Sequence, residues 1–212
     1  MRKAAKAASL VLTAALVVGV GISAFAATTT PSKTVVDEVA ASVETTTTGE
    51  GTIVTTESKK VAKTEEEKTE VNTRTQQAVN NIGASVDLKE KTGATEEERV
   101  EVAAAEEVTV VTNTLSDDAS VTVNVKSDVV ESVYKEDEKV TVMIAIPVLN
   151  ADGTQKRDEN GKLVFTYEKV QATVKGGQLQ LNLTNAQLKK FGKKFTVIAL
   201  KNVQKTTPAA AQ

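Results

Sequence analysis

The chain is 212 residues long, contains neither cysteine nor histidine, and has only four Phe and two Tyr as aromatic residues. This composition excludes a disulfide scaffold, a zinc site built from Cys and His, and catalysis by an imidazole or a thiolate. With 40% hydrophobic residues, 25% charged residues and a net charge of −2, the chain has room for one ordinary domain, or a small domain with a long extension.

Residues 1–26 have the order of a secretory signal peptide. Three basic residues come first, an apolar run follows over residues 7–24, and residues 24–26 form an Ala-x-Ala cleavage site. We therefore expect cleavage between Ala26 and Ala27 and a secreted, extracellular mature protein. The alternative is an uncleaved anchor, since the run approaches the ~20 residues that cross a bilayer.

Cleavage would remove three basic residues and no acid, which takes the net charge from −2 to −5. A mildly acidic mature chain has no global electrostatic attraction to nucleic acid or to an anionic membrane. We expect neither as a partner after the signal is removed.

Residues 27–106 are predicted to form a Thr/Glu/Val-rich spacer. From Ala27 to Ser116 there is no aromatic residue, and nine basic and 17 acidic residues give a net charge of −8. Three weak apolar patterns predict helices within it, over residues 35–43, 71–82 and 95–105. The last of these is opened by the capping-box sequence Thr95-Glu-Glu-Glu98. Because Val and Ala bury little area each, we expect a partly helical or disordered stalk.

Residues 107–203 alternate as strands do. Apolar residues occur at every second position over 121–125 and 179–183, while residues 140–148 are apolar on both faces, as in a central strand. Residues 163–167 and 170–174 alternate in opposite phases, which predicts a β-bulge or a crossing between sheets.

The end of this segment has a helical signal. Thr184 is a suitable N-cap for one helical turn that stops at Gly192, and a last strand follows over 195–200. Together with 108–112 these patterns make about seven strands, so we predict an all-β fold: an immunoglobulin-like β-sandwich over 107–203, followed by a flexible tail over 204–212.

The loop over residues 150–161 concentrates oxygen ligands, with Asp152, Asp158 and Asn160 as candidates for a calcium site. The complete calcium-loop pattern is absent, because no acid stands at the terminal ligand position. Asp-Gly and Asn-Gly are also ordinary hairpin turns, and a long hairpin loop without a metal is the interpretation that we favour. No other cofactor is expected.

A basic patch surrounds one aromatic residue near the last strand. It consists of Lys189, Lys190, Lys193 and Lys194, with Phe191 between them. Such a patch can contact an anionic wall polymer. The competing interpretation is a solvated loop whose Phe191 is buried in the core.

An enzyme is not expected. Carboxylate pairs such as Asp117-Asp118 lie in polar turns, and nucleophile-elbow, phosphate-loop and dinucleotide-binding motifs are absent from the sequence.

A resemblance to a known kind of protein module rests on three features. They are the strands over 140–148 and 195–200, the two-turn loop between 150 and 161, and the hairpin sequence Ala172–Leu183. Over residues 115–203 the chain resembles the C-terminal immunoglobulin-like β-sandwich modules of secreted and surface proteins from Gram-positive gut bacteria. The resemblance implies a surface or adhesion context, and it transfers no catalytic or binding residue.

The sequence therefore predicts an exported, non-enzymatic extracellular module with a structural, adhesion or protein-interaction role. Its partner would be an extracellular protein or a cell-envelope component. The alternative is a wall-polymer-binding or calcium-dependent module that uses the patch 189–194 or the loop 150–161.

Overall fold

The computed structural model describes residues 41–205. The predicted signal peptide and its cleavage site, most of the predicted helix over 35–43, and residues 206–212 of the predicted tail lie outside this range. The strands are β1 (Ala41–Thr48), β2 (Ile53–Glu57), β3 (Glu98–Asn113), β4 (Ser120–Ser127), β5 (Lys139–Pro147), β6 (Phe165–Lys175), β7 (Gln178–Thr184) and β8 (Lys194–Gln204). The helices are α1 (Ser58–Val61), α2 (Glu65–Ser85), α3 (Leu88–Thr92), α4 (Asp128–Val133) and α5 (Asn185–Phe191).

All eight strands form one antiparallel sheet in the order β1-β4-β7-β6-β5-β8-β3-β2. Its two ends, β1 and β2, are consecutive in the chain and are joined by residues 49–52. This short connection brings the ends of the sheet together and curls it into a nearly closed barrel.

Hydrogen bonds that involve side chains join the two ends of the sheet. No backbone ladder between β1 and β2 occurs among the described residues. The backbone N–H of Val43 donates to Oε1 of Glu57 at 2.7 Å, and the Thr45 hydroxyl donates to the carbonyl of Ile53 at 3.2 Å. We call this line of contact between β1 and β2 the seam.

Apolar side chains from alternate strand positions fill the barrel, as the two-residue period of a strand requires. The two short helices α4 and α5 follow strands at opposite ends of the barrel. Val130 of α4, and Leu188 and Phe191 of α5, are buried in the same core cluster. Both ends of the barrel are thus closed by side chains.

Helix α2 covers part of the outer face of the barrel. Thr64 caps it in a reciprocal capping box with Glu67, which satisfies backbone N–H groups at its start. Its buried face includes Ala78, Val79 and Ile82, which share a second core cluster with residues of β3, β5 and β8. The prediction of a helix over 71–82 is confirmed, and the helix is longer than predicted.

The all-β prediction is confirmed, and the arrangement differs from two packed sheets because one sheet curls upon itself. The segment predicted as a spacer over 27–106 supplies β1, β2, α2 and much of β3 to this structure. The helix predicted over 95–105 is wrong: Glu98–Asn113 is a strand that pairs with β8 along most of its length.

Candidate functional site

A set of three depressions meets at Arg74 of α2. The largest, about 450 Å³, lies between α2, the loop that joins β5 to β6, and the turn that precedes β8. Two neighbours of about 430 and 220 Å³ lie beside α2, the first against the β5–β6 loop and the second against α1. Because Arg74 lines all three, we call them together the Arg74 cleft.

Arg74 is fixed by Glu107 of β3. Its Nε and a terminal nitrogen donate to the two carboxylate oxygens of Glu107 at 3.0 and 2.9 Å, a bidentate pair of the strong, geometrically specific kind. Glu70 lies 3.9 Å from the other terminal nitrogen. The hydrogen bonds that Arg74 donates to Glu107 raise the pKa of Arg74, so the guanidinium stays charged and points in one direction.

Lysines form the rim of the cleft. Lys190, Lys193 and Lys194, three of the four residues of the predicted patch, line its largest part. Lys190 forms an ion pair with Glu168, whereas the side chain of Lys193 has no ion-pair or hydrogen-bond partner among residues 41–205. The fourth, Lys189, donates instead to exposed Asp117 at 2.7 Å.

Apolar side chains form the floor of the same space. Ile146, Pro147 and Leu149 at the end of β5, together with Phe165 at the start of β6, line it. Leu149 is 58% exposed. The cleft therefore combines a cationic rim with an accessible apolar surface.

The aromatic residue of the patch belongs to the core. Phe191 is 1% exposed, and its ring centre lies 5.5 Å from that of Phe195. It anchors α5 in the barrel, and α5 in turn places the flanking lysines at the cleft.

The candidate calcium ligands lie in two successive turns of the β5–β6 loop. Oδ1 of Asp152 accepts hydrogen bonds from the backbone and hydroxyl of Thr154 at 2.9 and 2.6 Å. Oδ1 of Asp158 accepts from the backbone N–H groups of Asn160 and Lys162 at 2.9 and 2.8 Å. These turns hold the carboxylates in local hydrogen bonds, and no group of three or more acidic side chains suited to a metal occurs within residues 41–205.

Two further carboxyl groups are buried inside the barrel wall, Glu57 on β2 and Glu106 on β3, with exposures of 3% and 4%. Burial alone would raise the pKa of Glu57, but hydrogen bonds from its own backbone, Lys60, Thr56 and Val43 lower it. Burial raises the pKa of Glu106 to about 7. On two neighbouring strands, the surroundings of Glu57 thus favour its ionised form and those of Glu106 favour its neutral form.

The sequence analysis did not identify Arg74, Glu107 or Glu106. A signal for the two acids is present, since Glu106-Glu107 directly follows the apolar run Val102–Ala105 and precedes Val108. Charged residues inside an apolar strand are seldom buried without a partner or a function. Arg74 has a weaker signal: it lies three residues after Val71 and one before Thr75, at the margin of the buried face of α2.

Comparisons of the chain with protein-family models, with curated proteins and with solved structures found no match. Within the described part of the chain, no helix has both the length and the apolar character needed to cross a membrane.

Proposed function

We propose that the protein is an exported, non-enzymatic interaction module that binds an acidic peptide segment of an extracellular partner in the Arg74 cleft. The observation that carries this proposal is the pairing of a lysine rim with an apolar floor. A segment with carboxylates and an apolar side chain complements both features.

The polar chemistry of the cleft favours binding over catalysis. Glu107, which lines the largest depression, is held by two hydrogen bonds from Arg74. A carboxylate fixed in this way is poorly placed to act on a substrate, because both of its oxygens already accept hydrogen bonds from Arg74. The pair instead presents a rigid, oriented cation beside a concave surface.

An anionic cell-envelope polymer is the second candidate ligand. It is favoured by the outward position of the lysines, since the side chains of Lys189 and Lys190 are 61% and 65% exposed. A uniformly polar polymer would engage this rim and leave the apolar floor uncovered. We rank it second for that reason. A calcium site in the loop over 150–161 is not part of the proposal, because Asp152 and Asp158 are engaged in turns.

Binding of labelled probes to the mature chain tests the proposal. The probes are a Glu-rich peptide with a central Leu, the same peptide with Ser in place of Leu, polyphosphate, and purified teichoic acid. We expect the Leu-containing peptide to bind most tightly and its affinity to fall as salt rises. Tight binding of the polymers with none of the peptides would support the second candidate, and no binding of any probe would contradict both.

Two charge-matched double variants locate the site. Lys193→Glu with Lys194→Glu reverses charge on the rim and is expected to weaken peptide binding by about tenfold or more. Lys126→Glu with Lys135→Glu makes the same change in charge at exposed positions near the opposite end of the barrel, and is expected to leave affinity unchanged. Equal losses in both variants would show a non-specific electrostatic effect.

Export is tested separately. The proposal predicts that protein recovered from the medium of the native cells begins at Ala27, which N-terminal sequencing measures. Protein found only in the cytoplasm with residues 1–26 intact would contradict this part.

A further inference from the structure

Part of strand β3 has no neighbouring strand at the seam. Strand β2 ends at Glu57, opposite Val108 of β3, whereas β3 extends back to Glu98. Over residues 98–107, the edge of β3 that faces the seam therefore has no strand partner among the described residues. On the other side of the seam, β1 begins at Ala41, which is paired with Ser127 at the end of β4.

A small cavity lies inside the barrel at this level. It has a volume of about 10 Å³, close to that of a single water site. Its lining comes from four strands, and the residues are Ala104, Ala105, Glu106, Val125, Ser127, Leu179, Val197 and Ala199. Apart from Glu106 and Ser127 these side chains are apolar, so the cavity offers Glu106 little that would replace water.

Glu106 borders this cavity without a hydrogen bond to its Oε1 from any described residue. Leaving a buried carboxylate oxygen unpaired is costly, because the desolvated charge loses water and gains nothing in return. Glu57 is in the contrasting state: it accepts hydrogen bonds from Val43, Thr56 and Lys60.

The charges around Glu106 are unevenly distributed. From β2, Glu57 disfavours its ionisation, and from α1, Lys59 and Lys60 favour it; Glu107, next in sequence on β3, also disfavours it. The cavity residues from β4, β7 and β8 carry no titratable group. The acids of the adjacent helix α4, Asp128 and Glu131, are exposed.

We propose that the seam is a gate controlled by the protonation of Glu106: the barrel is closed at the seam when Glu106 is neutral and opens there when Glu106 is ionised. The inference is independent of the ligand of the Arg74 cleft. Ionisation near neutral pH follows from the burial that raises the pKa of this carboxyl to about 7.

The seam opens in preference to other parts of the barrel for two reasons. An ionised Glu106 needs water, and the cavity together with the unpaired edge of β3 is the nearest route by which water enters. The seam is also held by two hydrogen bonds that each involve one side chain, from the Val43 N–H to the Glu57 carboxylate and from the Thr45 hydroxyl to the Ile53 carbonyl. The other neighbouring strands are joined by backbone ladders. Separating β1 from β2 therefore breaks fewer bonds than separating any paired strands.

Hydrogen exchange of the full mature protein at a series of pH values from 5.5 to 8.5 tests the gate. After correction for intrinsic exchange rates, we expect protection of amides in β1 and β2 to fall about tenfold or more across this range, while that of β5 and β6 stays constant. Constant protection at the seam would overturn the proposal.

Two variants assign the effect. Glu106→Gln keeps the shape of the side chain and removes its charge, so protection at the seam should become independent of pH. Glu101→Gln removes a partly exposed acid from the same strand and should retain the pH dependence. An unchanged pH dependence in Glu106→Gln would overturn the assignment to Glu106.

A measurement on the unmodified protein covers the case in which Glu106→Gln does not fold. The carboxyl ¹³C resonance of Glu106 should titrate with a midpoint near 7. A midpoint near 4.5, the ordinary value for Glu, would overturn the proposal.

Discussion

The backbone N–H of Val43 donates to the carboxylate of Glu57 at 2.7 Å, and this bond joins the first strand of the barrel to the second. Glu57 is 3% exposed and also accepts from Lys60 at 3.0 Å. The side chain of Glu57 thus accepts one of the two hydrogen bonds that join β1 to β2, whereas backbone ladders join the other neighbouring strands. Its chemistry makes closure of the barrel sensitive to a single residue.

Glu57→Ala should lower the free energy of unfolding by about 2–3 kcal/mol, since it leaves the buried N–H of Val43 without an acceptor. Glu57→Gln keeps an acceptor oxygen and should cost less. Urea unfolding followed by circular dichroism measures both. Equal stability of Glu57→Ala and the unmodified protein would mean that the hydrogen bond from Val43 to Glu57 contributes nothing to the stability of the fold.

Stability should fall as the pH rises from about 4.5 to about 7. Glu106 has a folded-state pKa of about 7 against an ordinary value of 4.5, so in this range the folded state keeps a proton that the unfolded state has lost. The difference corresponds to about 3 kcal/mol, present in full below the unfolded pKa and lost above the folded one.

Other groups also titrate in this range, so the measured quantity is the difference between the unmodified protein and Glu106→Gln at each pH. We expect the stability of the variant relative to the unmodified protein to increase from pH 4.5 to 7 and then to level off. A difference that stays constant with pH would show that Glu106 ionises equally well in both states.

Arg74→Met should destabilise the protein by about 3 kcal/mol. It leaves the carboxylate of Glu107, which is 6% exposed, buried without its counter-ion. Adding Glu107→Leu should restore most of the loss, because the uncompensated charge is removed. Arg99→Met breaks a more exposed pair with Glu101 and should cost less than about 1 kcal/mol. Thermal melts of the four proteins test this order.

Two glycines with positive φ provide a matched comparison. A Cβ at Gly51, where φ is +114°, would lie 2.2 Å from the carbonyl oxygen of Thr114, whereas one at Gly153, where φ is +82°, would meet nothing within 4 Å. Gly153→Ala should cost about 1 kcal/mol from backbone strain alone, and Gly51→Ala at least about 3 kcal/mol. Similar losses measured in urea would mean that the 49–52 loop relaxes away from Thr114.

Helix α5 could be predicted from the sequence because its signals are local. Thr184 forms the N-cap with Gln187 in a capping box, and the helix ends before Gly192. The buried stripe of α2 was visible for the same reason.

Strand β3 was hidden by conflicting signals. Glu98 accepts a hydrogen bond from the backbone of Thr95 at 2.9 Å, as a capping box would, yet the chain continues as a strand paired with β8. A register shift between Val102 and Ala104 leaves Ala103 and Ala104 both against the barrel core, which breaks the two-residue alternation. Tertiary pairing here overrides a local helical signal.

The closed sheet could not be distinguished from a sandwich because both bury alternate residues of each strand. The prediction of a β-bulge or a crossing between sheets, where the alternation changes phase between residues 167 and 170, is wrong: β5 and β6 pair without a register shift within one sheet. Phe165 and Tyr167 pack against the cluster beneath α2, while Val170 and Ala172 belong to the barrel core. The alternation changes phase because the first part of β6 buries its outer face beneath α2, whereas the later part buries its inner face in the barrel core.

The Arg74 cleft was predicted only as far as the lysines of its rim. Its apolar floor and Arg74 itself come from segments separated by about 70 to 90 positions in the chain. A single sequence does not show which of these segments meet.

The place of β8 in the sheet has a consequence for when the protein acquires its structure. This strand lies between β5 and β3, although it comes last in chain order among the strands within residues 41–205. Before β8 pairs, β2 and β3 are joined to the rest of the sheet only through the hydrogen bonds of the seam to β1. The wall of the barrel therefore stays open between β3 and β5. Folding by such long-range pairing is slow to nucleate. A chain that remains unfolded until residues 194–204 have been released is suited to passage through a membrane channel before it folds, which is the order of events that the proposed export requires.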